Sequence, residues 1–305
     1  FIDDAREEYI SKTKKDGISV WNEWLAWCCK VFEWDKINRA GGLTQRFEEC
    51  QKDNEYFFRA MLGWFEVTYR EIRMKGAYDA FGYLYEEFYQ SSHKSNSLGQ
   101  FFTPMSICEV MAESILGDKG TKPSEEVVTY NDCACGSGRT LLAAWERADK
   151  YNRNFFVAGD VDTTSVQMCA LNFMIHGMVG AVEKKDTLTQ EFFYAYIVNS
   201  CKVPYANNFA CLQYYDDEVE YNKALKVLEH HLKNWNCIKY RPKSEDASIE
   251  QTTIPKTQET APQPNKTTKS EPIQLSFNCT FMELKYHLLV ISIYSFFVLI
   301  VPLWN

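Results

Sequence analysis

Hydrophobic positions along the first ninety residues recur every three or four residues, the spacing of one face of an amphipathic helix. This pattern predicts a first helix over residues 18–37, which the glycine pair at 41 and 42 would end. It predicts a second helix over residues 44–74 and a third over residues 77–90. We therefore expect an all-helical N-terminal region spanning residues 1–98.

After residue 122 the pattern changes to short apolar runs that alternate with helical stretches. The runs "EVVTYND", "NFFVAGDVD" and "GAVEKKDTL" predict three strands, with helices from residue 140 and over residues 164–176 between them. Strands that alternate with helices through short connections indicate a parallel sheet in an α/β fold. Because "DEVEYNKALKVLEHHLKNW" predicts a further helix, one or two more strands fit before residue 238.

The last part of the chain has two contrasting compositions. Residues 239–273 are rich in Pro, Thr, Lys and Glu and predict a disordered linker. The tail, residues 274–305, contains an uncharged apolar run at 288–304 with three interpretations: a membrane anchor, a buried strand pair, or a tail unrelated to the domain. The segment "EPIQLSF" at 271–277 loosely resembles a sliding-clamp binding peptide, and a random match is the alternative.

Net charge and cysteine usage limit the classes of function that the sequence favours. A net charge of −8 is unfavourable for a protein that binds nucleic acid by itself, because phosphate contacts need clustered Lys and Arg. A DNA-acting protein of this charge would depend on a partner or on a local basic patch. The eleven cysteines form no Cys-x-x-Cys pair, which predicts reduced thiols, a cytoplasmic protein and no metal site.

The segment "NDCACGSGRT" carries the main candidate chemistry. A strand that ends in Asp132, a glycine-rich turn and a helix beginning near residue 140 match the geometry of a nucleotide-type cofactor site. Asp160 and Asp162 end the second predicted strand, and Asp186 ends the third. Strand-end carboxylates can accept the ribose hydroxyls of such a cofactor. Three ordinary turn aspartates are the alternative interpretation.

Four motifs in a fixed order resemble a known family. "GQFFTP" at 99–104, "NDCACGSGRTLL" at 131–142, "GDVDTTSVQMCALNFMIHG" at 159–177 and "KKDTL" at 184–188 resemble the N6-adenine DNA methyltransferases of the modification-subunit type in type I restriction-modification systems. "FGYLYEEF" resembles the helix that precedes the first motif in that family. The resemblance covers about residues 77–190 and implies a class I S-adenosylmethionine-dependent methyltransferase (Rossmann-like) domain over residues 99–238.

The same resemblance implies S-adenosylmethionine as cofactor and assigns its contacts. The methionine end would lie in a loop formed by Gln100, Phe101, Phe102, Thr103 and Pro104. The methionine and ribose would be surrounded by Asp132, Gly136, Ser137 and Gly138. Asp160 would hold the ribose hydroxyls and Asp186 would meet the adenine.

One motif of the family is missing from these 305 residues. The family binds the flipped target adenine with Asn-Pro-Pro-Tyr or Asn-Pro-Pro-Phe, and no Asn-Pro-Pro occurs here. In "YIVNSCKVPYANNF", Asn199 and Tyr205 are the candidate substitutes. We therefore expect a reduced C-terminal half and consider two functions. One is adenine N6-methylation of DNA bound through a separate specificity subunit. The other is a non-catalytic regulatory protein that binds cofactor or DNA.

Overall fold

Helices make up the N-terminal part of the computed structural model, which describes residues 2–91, 102–117, 126–149, 153–200 and 210–234. All of these residues fall in one compact unit, Phe1–Arg241. The N-terminal helices are α1 (Ile2–Thr13), α2 (Gly17–Val31), α3 (Trp34–Ala40), α4 (Leu43–Asp53), α5 (Glu55–Lys75) and α6 (Ala80–Ser91). The predicted helical character of this region is confirmed over its described residues.

Two of the predicted helices are each divided into two, for identifiable reasons. The helix expected over 18–37 is interrupted after α2 because the Phe32 carbonyl accepts a hydrogen bond from the Leu212 N–H at 2.9 Å. The helix expected over 44–74 is interrupted at Asn54, whose side chain accepts from the Phe57 N–H at 3.0 Å and caps α5. A distant partner causes the first break, whereas a local cap causes the second.

A mixed five-stranded sheet forms the centre of the α/β part. Its strands, in spatial as well as chain order, are β1 (Val127–Asp132), β2 (Arg153–Asp160), β3 (Gly180–Lys185), β4 (Phe192–Val198) and β5 (Leu212–Tyr215). The first three are parallel, as predicted. The expectation of a parallel sheet is wrong for the rest, because β4 pairs antiparallel with β3 and β5 antiparallel with β4.

The reversal at β4 follows from the length of its connection. A parallel crossover needs a dozen or more residues, and β4 begins within seven residues of the end of β3. The Asp186 N–H donates to the Glu191 carbonyl at 2.9 Å and closes this short turn. The chain therefore folds back as a hairpin, so the carboxyl end of β4 lies at the opposite edge of the sheet from that of β3.

Helices cover both faces of the sheet. They are α7 (Met105–Leu116), α8 (Arg139–Arg147), α9 (Thr163–His176) and α10 (Glu218–Asn234). Every residue of α9 from Thr164 to His176 is buried, which is expected of a helix between a sheet and other helices. On the other face, α10 packs through Tyr221, Leu228 and Leu232 against alternate residues of the strands. This arrangement of layers is an α/β fold.

Several sequence predictions fall outside the described residues. These are the three domain boundaries, the linker, the clamp-like segment at 271–277, the apolar run at 288–304, and the candidate residues Gln100, Phe101 and Tyr205. Where the structure does describe the chain, none of its helices has the length and apolarity needed to cross a membrane. None of the eight cysteines within the described ranges forms a disulfide.

Candidate functional site

The loop of residues 133–138 connects β1 to α8 and strongly favours glycine at two positions. Gly136 has φ of 52° and Gly138 has φ of 92°, in the left-handed region that L side chains rarely adopt. A Cβ on Gly136 would lie 2.8 Å from the Phe102 ring, and a Cβ on Gly138 would lie 2.9 Å from the Cys169 sulfur. The two glycines thus let the loop backbone approach Phe102 on one side and Cys169 of α9 on the other.

Three of the predicted carboxylates, those of Asp132, Asp160 and Asp186, lie where adjacent parallel strands end. The carboxylate of Asp160 accepts hydrogen bonds from the N–H groups of Gly136 and Asp162, both at 2.9 Å. It therefore connects the end of β2 to the glycine loop that follows β1.

The other two carboxylates stabilise their own turns. Asp132 accepts from the Ala134 N–H at 3.1 Å and from the Thr140 hydroxyl. Asp186 accepts from the N–H groups of Thr189 and Leu188, and these bonds lower the pKa of its carboxyl group. An ionised carboxylate offers about four lone-pair positions, so each of these groups can still accept a bond from a ligand.

A cavity of about 220 Å³ lies at this edge of the sheet. It is lined by Phe102, Thr103, Cys108, Asp132, Ala134, Cys135, Gly136, Ser137, Arg139, Thr140, Asp160 and Ser165. Of the predicted site residues, the cavity thus brings together Phe102, Thr103, Asp132, Gly136, Ser137 and Asp160. Pro104 caps the start of α7 next to it, and Asp186 lies in the turn after β3.

A larger cavity of about 670 Å³ lies between β1, β2 and α10. Its walls combine apolar side chains with polar and charged ones: Glu126, Val127, Thr129, Arg153, Phe155, Leu225, Glu229, Leu232 and Lys233. It contains neither the glycine loop nor any of the predicted site residues. We therefore place the candidate site in the smaller cavity, where the carboxylates of Asp132 and Asp160 meet the glycine loop.

One wall of the site is built by residues that the sequence analysis did not select. Arg139, at the start of α8, is 4% exposed and forms ion pairs with Asp79 at 2.7 Å and Glu86 at 2.8 Å. Burial disfavours its charged form, but these carboxylates outweigh that effect and raise the pKa of Arg139. The available signal was a charged residue at the first position of an otherwise apolar helix, "RTLLAAW".

The structure does not bring Asn199 to the glycine loop. Asn199 follows β4, whose last residue, Val198, pairs with Gly180 at the start of β3. Its fully buried side chain donates to the carbonyls of α9 and its following turn at Phe173, Met174 and Met178 (3.3, 3.2 and 2.8 Å). Its Oδ1 also accepts from the Cys211 N–H at 3.3 Å. These bonds involve the whole amide group of Asn199, which lies at the opposite edge of the sheet from the glycine loop.

The site has no recognisable metal-ligand set among its described residues. Across the ranges that the structure describes, no cluster of three or more His, Cys, Asp or Glu side chains could hold a metal ion. Cys133 is exposed and Cys135 is buried, and both are free thiols.

Comparison with known proteins gives two kinds of match. A family model, N-6 DNA methylase, matches residues 76–239, which is more than half of the chain. The chain is 32% identical over 133 residues to the type I restriction enzyme MpnII methylase subunit of Mycoplasma pneumoniae, a match that covers 41% of this chain and 23% of that protein. It is 29% identical over 111 residues to the type II methyltransferase M.MamI of Microbacterium ammoniaphilum, covering 32% of this chain and 31% of that protein.

These matches span about a quarter to a third of the length of the curated relatives. No solved structure matches the chain.

Proposed function

The chain belongs to the N-6 DNA methylase family, and we propose that its glycine-loop site binds S-adenosylmethionine as the donor for methylation of adenine N6 in DNA. We further propose that residues 99–238 form a Rossmann-like class I methyltransferase domain with a reduced C-terminal half, preceded by the helical region 1–98. The observation that carries the proposal is the cavity of about 220 Å³ between Phe102, the glycine loop and Asp160.

The residues around this cavity fit the chemical groups of the cofactor. Asp160 has acceptor capacity for the ribose hydroxyls, and Gly136 and Gly138 let the loop backbone pack closely beside the cavity. Asp186, on the neighbouring strand end, would accept a bond from the adenine amino group. The methionine end would lie against Phe102, Thr103 and Pro104, with Gln100 and Phe101 preceding them in the chain. When bound, S-adenosylmethionine supplies an electrophilic methyl group.

The position of Asn199 favours a second candidate function. A methyltransferase of this family needs an amide and an aromatic ring at the flipped adenine. The chain has no Asn-Pro-Pro, and the Asn199 amide is bonded at the far edge of the sheet. The second candidate is therefore a protein that binds the cofactor without transferring the methyl group by itself.

DNA would be bound with the help of a separate specificity subunit in either case. The net charge of −8 is unfavourable for binding DNA phosphates by this chain alone. One matched relative is named a methylase subunit of a type I restriction enzyme, which supports assembly with other subunits.

Calorimetric titration of S-adenosylmethionine into the 305-residue chain tests the cofactor proposal. Asp160→Ala should abolish binding. Asp217→Ala is the matched control, because Asp217 also accepts a backbone N–H, that of Glu220 at 2.9 Å, but lies outside the cavity. Absence of binding to the unmodified chain, or equal binding by both variants, would contradict the proposal.

Transfer of tritium from methyl-labelled cofactor to DNA then separates the two candidate functions. The enzyme function predicts label in adenine when a specificity subunit is added. Binding without any transfer, in the presence of such a subunit, would favour the non-catalytic function.

A further inference from the structure

A single buried carboxylate connects the N-terminal helices to the candidate site. Asp79, just before α6, is inaccessible to solvent and accepts four hydrogen bonds. The donors are Ser137 Oγ at 2.6 Å, Arg139 Nε and Asn172 Nδ2 at 2.7 Å, and the Gly82 N–H at 2.8 Å. A buried charge is tolerated when it is paired and hydrogen-bonded, so this geometry is strongly constrained. The start of α6, the glycine loop, α8 and α9 all meet at Asp79.

The guanidinium of Arg139 extends this connection across the cavity. Its Nη1 and Nη2 donate to the two carboxylate oxygens of Glu86 at 2.8 and 3.1 Å, and Nη1 donates to the Thr103 carbonyl at 3.3 Å. Its central carbon lies 4.8 Å from the Tyr83 ring centre and 5.6 Å from that of Phe102. Arg139 therefore contacts Thr103 and Phe102 directly and reaches Ser137 of the glycine loop through Asp79.

The close approach of α6 depends on one glycine. A Cβ on Gly82 would lie 1.9 Å from Asp79 Oδ2 and 2.8 Å from Arg139 Nη2. Asp79 is buried and has a short side chain, so it cannot move aside cheaply. α6 therefore has no side chain at the position next to the Asp79–Arg139 ion pair.

We propose that Arg139 is a positioning residue for the glycine-loop site, which it holds in its binding conformation through Asp79, Glu86 and the Thr103 carbonyl. The inference rests on the proposed cofactor site. It adds that cofactor affinity depends on docking of the N-terminal helices. Without the guanidinium, Ser137 and Phe102 lose a common anchor, and the loop must be ordered when the ligand binds. Lysine offers a single ammonium, so it replaces this bridge incompletely.

Titration of S-adenosylmethionine into three variants of the 305-residue chain provides the test. Arg139→Met should weaken binding roughly tenfold, the size expected for loss of the central pair in a coupled network, and Arg139→Lys should recover part of the loss. Arg147→Met is the matched control. Arg147 lies in the last turn of the same helix and pairs with Glu113 at 2.9 Å, away from the cavity. Its affinity should stay within about twofold of the unmodified chain.

The alkylation rate of Cys135 by iodoacetamide reports the order of the loop without any ligand. Cys135 lies in the loop and is 6% exposed, while Cys28 in α2 is fully buried and serves as an internal reference for global unfolding. Arg139→Met should raise the rate at Cys135 relative to Cys28, and Arg147→Met should not. If Arg139→Met does not fold, Glu86→Gln replaces it, since the Glu86 side chain is 31% exposed and tolerates change better.

The outcomes separate this inference from the proposed function. Weaker binding and faster Cys135 alkylation in Arg139→Met, with Arg147→Met unchanged, support the positioning role. If the unmodified chain binds no S-adenosylmethionine, the proposed function fails. The difference in Cys135 alkylation rate between Arg139→Met and Arg147→Met then decides alone whether Arg139 positions the loop. Equal alkylation rates at Cys135 in folded Arg139→Met and in Arg147→Met would overturn the inference. If Glu86→Gln is used instead, a Cys135 rate equal to that of Arg147→Met would overturn it.

Discussion

The two edges of the sheet differ although each has a polar residue directly after a strand. At the open edge, where β1, β2 and β3 end, Asp132 and Asp160 line a cavity beside the glycine loop. At the closed edge, where β4 ends, Asn199 is fully buried and hydrogen-bonded to α9, its following turn and the residue before β5. The carboxylates at the open edge can still accept hydrogen bonds from a ligand, whereas the Asn199 amide at the closed edge forms bonds that stabilise the fold.

Strand direction explains this difference. Carboxyl ends of parallel strands converge at one edge, where loops can form a ligand site. The hairpin between β3 and β4 reverses the chain, so the residue after β4 is delivered to the other edge. A polar residue after a strand therefore indicates a site only when the direction of that strand is known.

The largest effect should come from breaking the closed edge at Asn199. Asn199→Ala removes the side-chain bonds to the carbonyls of Phe173, Met174 and Met178 and the bond that Oδ1 accepts from the Cys211 N–H. We expect the free energy of unfolding to fall by about 4 kcal/mol, as measured by urea denaturation, with cofactor affinity of the folded protein unchanged. Ser200→Ala, which loses one bond to Gln213, is the milder control. Lost affinity with normal stability would instead place Asn199 in the site.

A second effect concerns His176, also at the closed edge, at the end of α9. Burial lowers the pKa of this imidazole to about 4, despite the opposing effects of the Asn172 carbonyl and Asp79. The unfolded chain therefore binds a proton near pH 6.5 that the folded chain does not. The free energy of unfolding should be unaffected by His176 above pH 6.5 and should fall by about 3 kcal/mol between pH 6.5 and 4.

Urea denaturation at several pH values isolates this contribution. His176→Gln should remove that part of the acid destabilisation, whereas His230→Gln, at an exposed position of α10, should leave it unchanged. An identical pH profile for His176→Gln and the unmodified chain would show that the imidazole is not the group responsible.

The smallest effect on stability should come from the open edge, at Gly136. Gly136→Ala forces a side chain into left-handed backbone and against the Phe102 ring. We expect about 1–2 kcal/mol of destabilisation together with roughly tenfold weaker binding of S-adenosylmethionine in calorimetry. Gly41→Ala has the same backbone penalty, at φ of 89°, but its Cβ would meet nothing within 4 Å. Similar affinities for the two variants would argue against a ligand at the glycine loop.

Local patterns in the sequence predicted most of the elements around the site. The alternation of β1, α8, β2, α9 and β3 is confirmed. It could be predicted because the hydrophobic period and the glycine positions are patterns of a few neighbouring residues. The break after α2 and the reversal at β4 were missed. The first depends on pairing with Leu212, and the second depends on a hairpin that looks like any short loop in sequence.

The arrangement of the site was predictable to a similar extent. Asp132 and Asp160 could be placed at neighbouring strand ends because parallel strands share one edge. The ion pair between Asp79 and Arg139 could not be predicted, because it joins residues 60 positions apart in the chain and produces no periodic pattern in the sequence. Asn199 is the candidate nearest to the missing Asn-Pro-Pro motif in the segment "YIVNSCKVPYANNF", and this segment does not reveal the direction of its strand.

Hydrogen–deuterium exchange with and without S-adenosylmethionine tests the contrast between the two edges most directly. We expect the cofactor to slow exchange in residues 133–138 and at the end of β2, and to leave residues 197–200 and 212–215 unchanged. Protection confined to the end of β4, or none at the glycine loop when cofactor binds, would contradict this expectation.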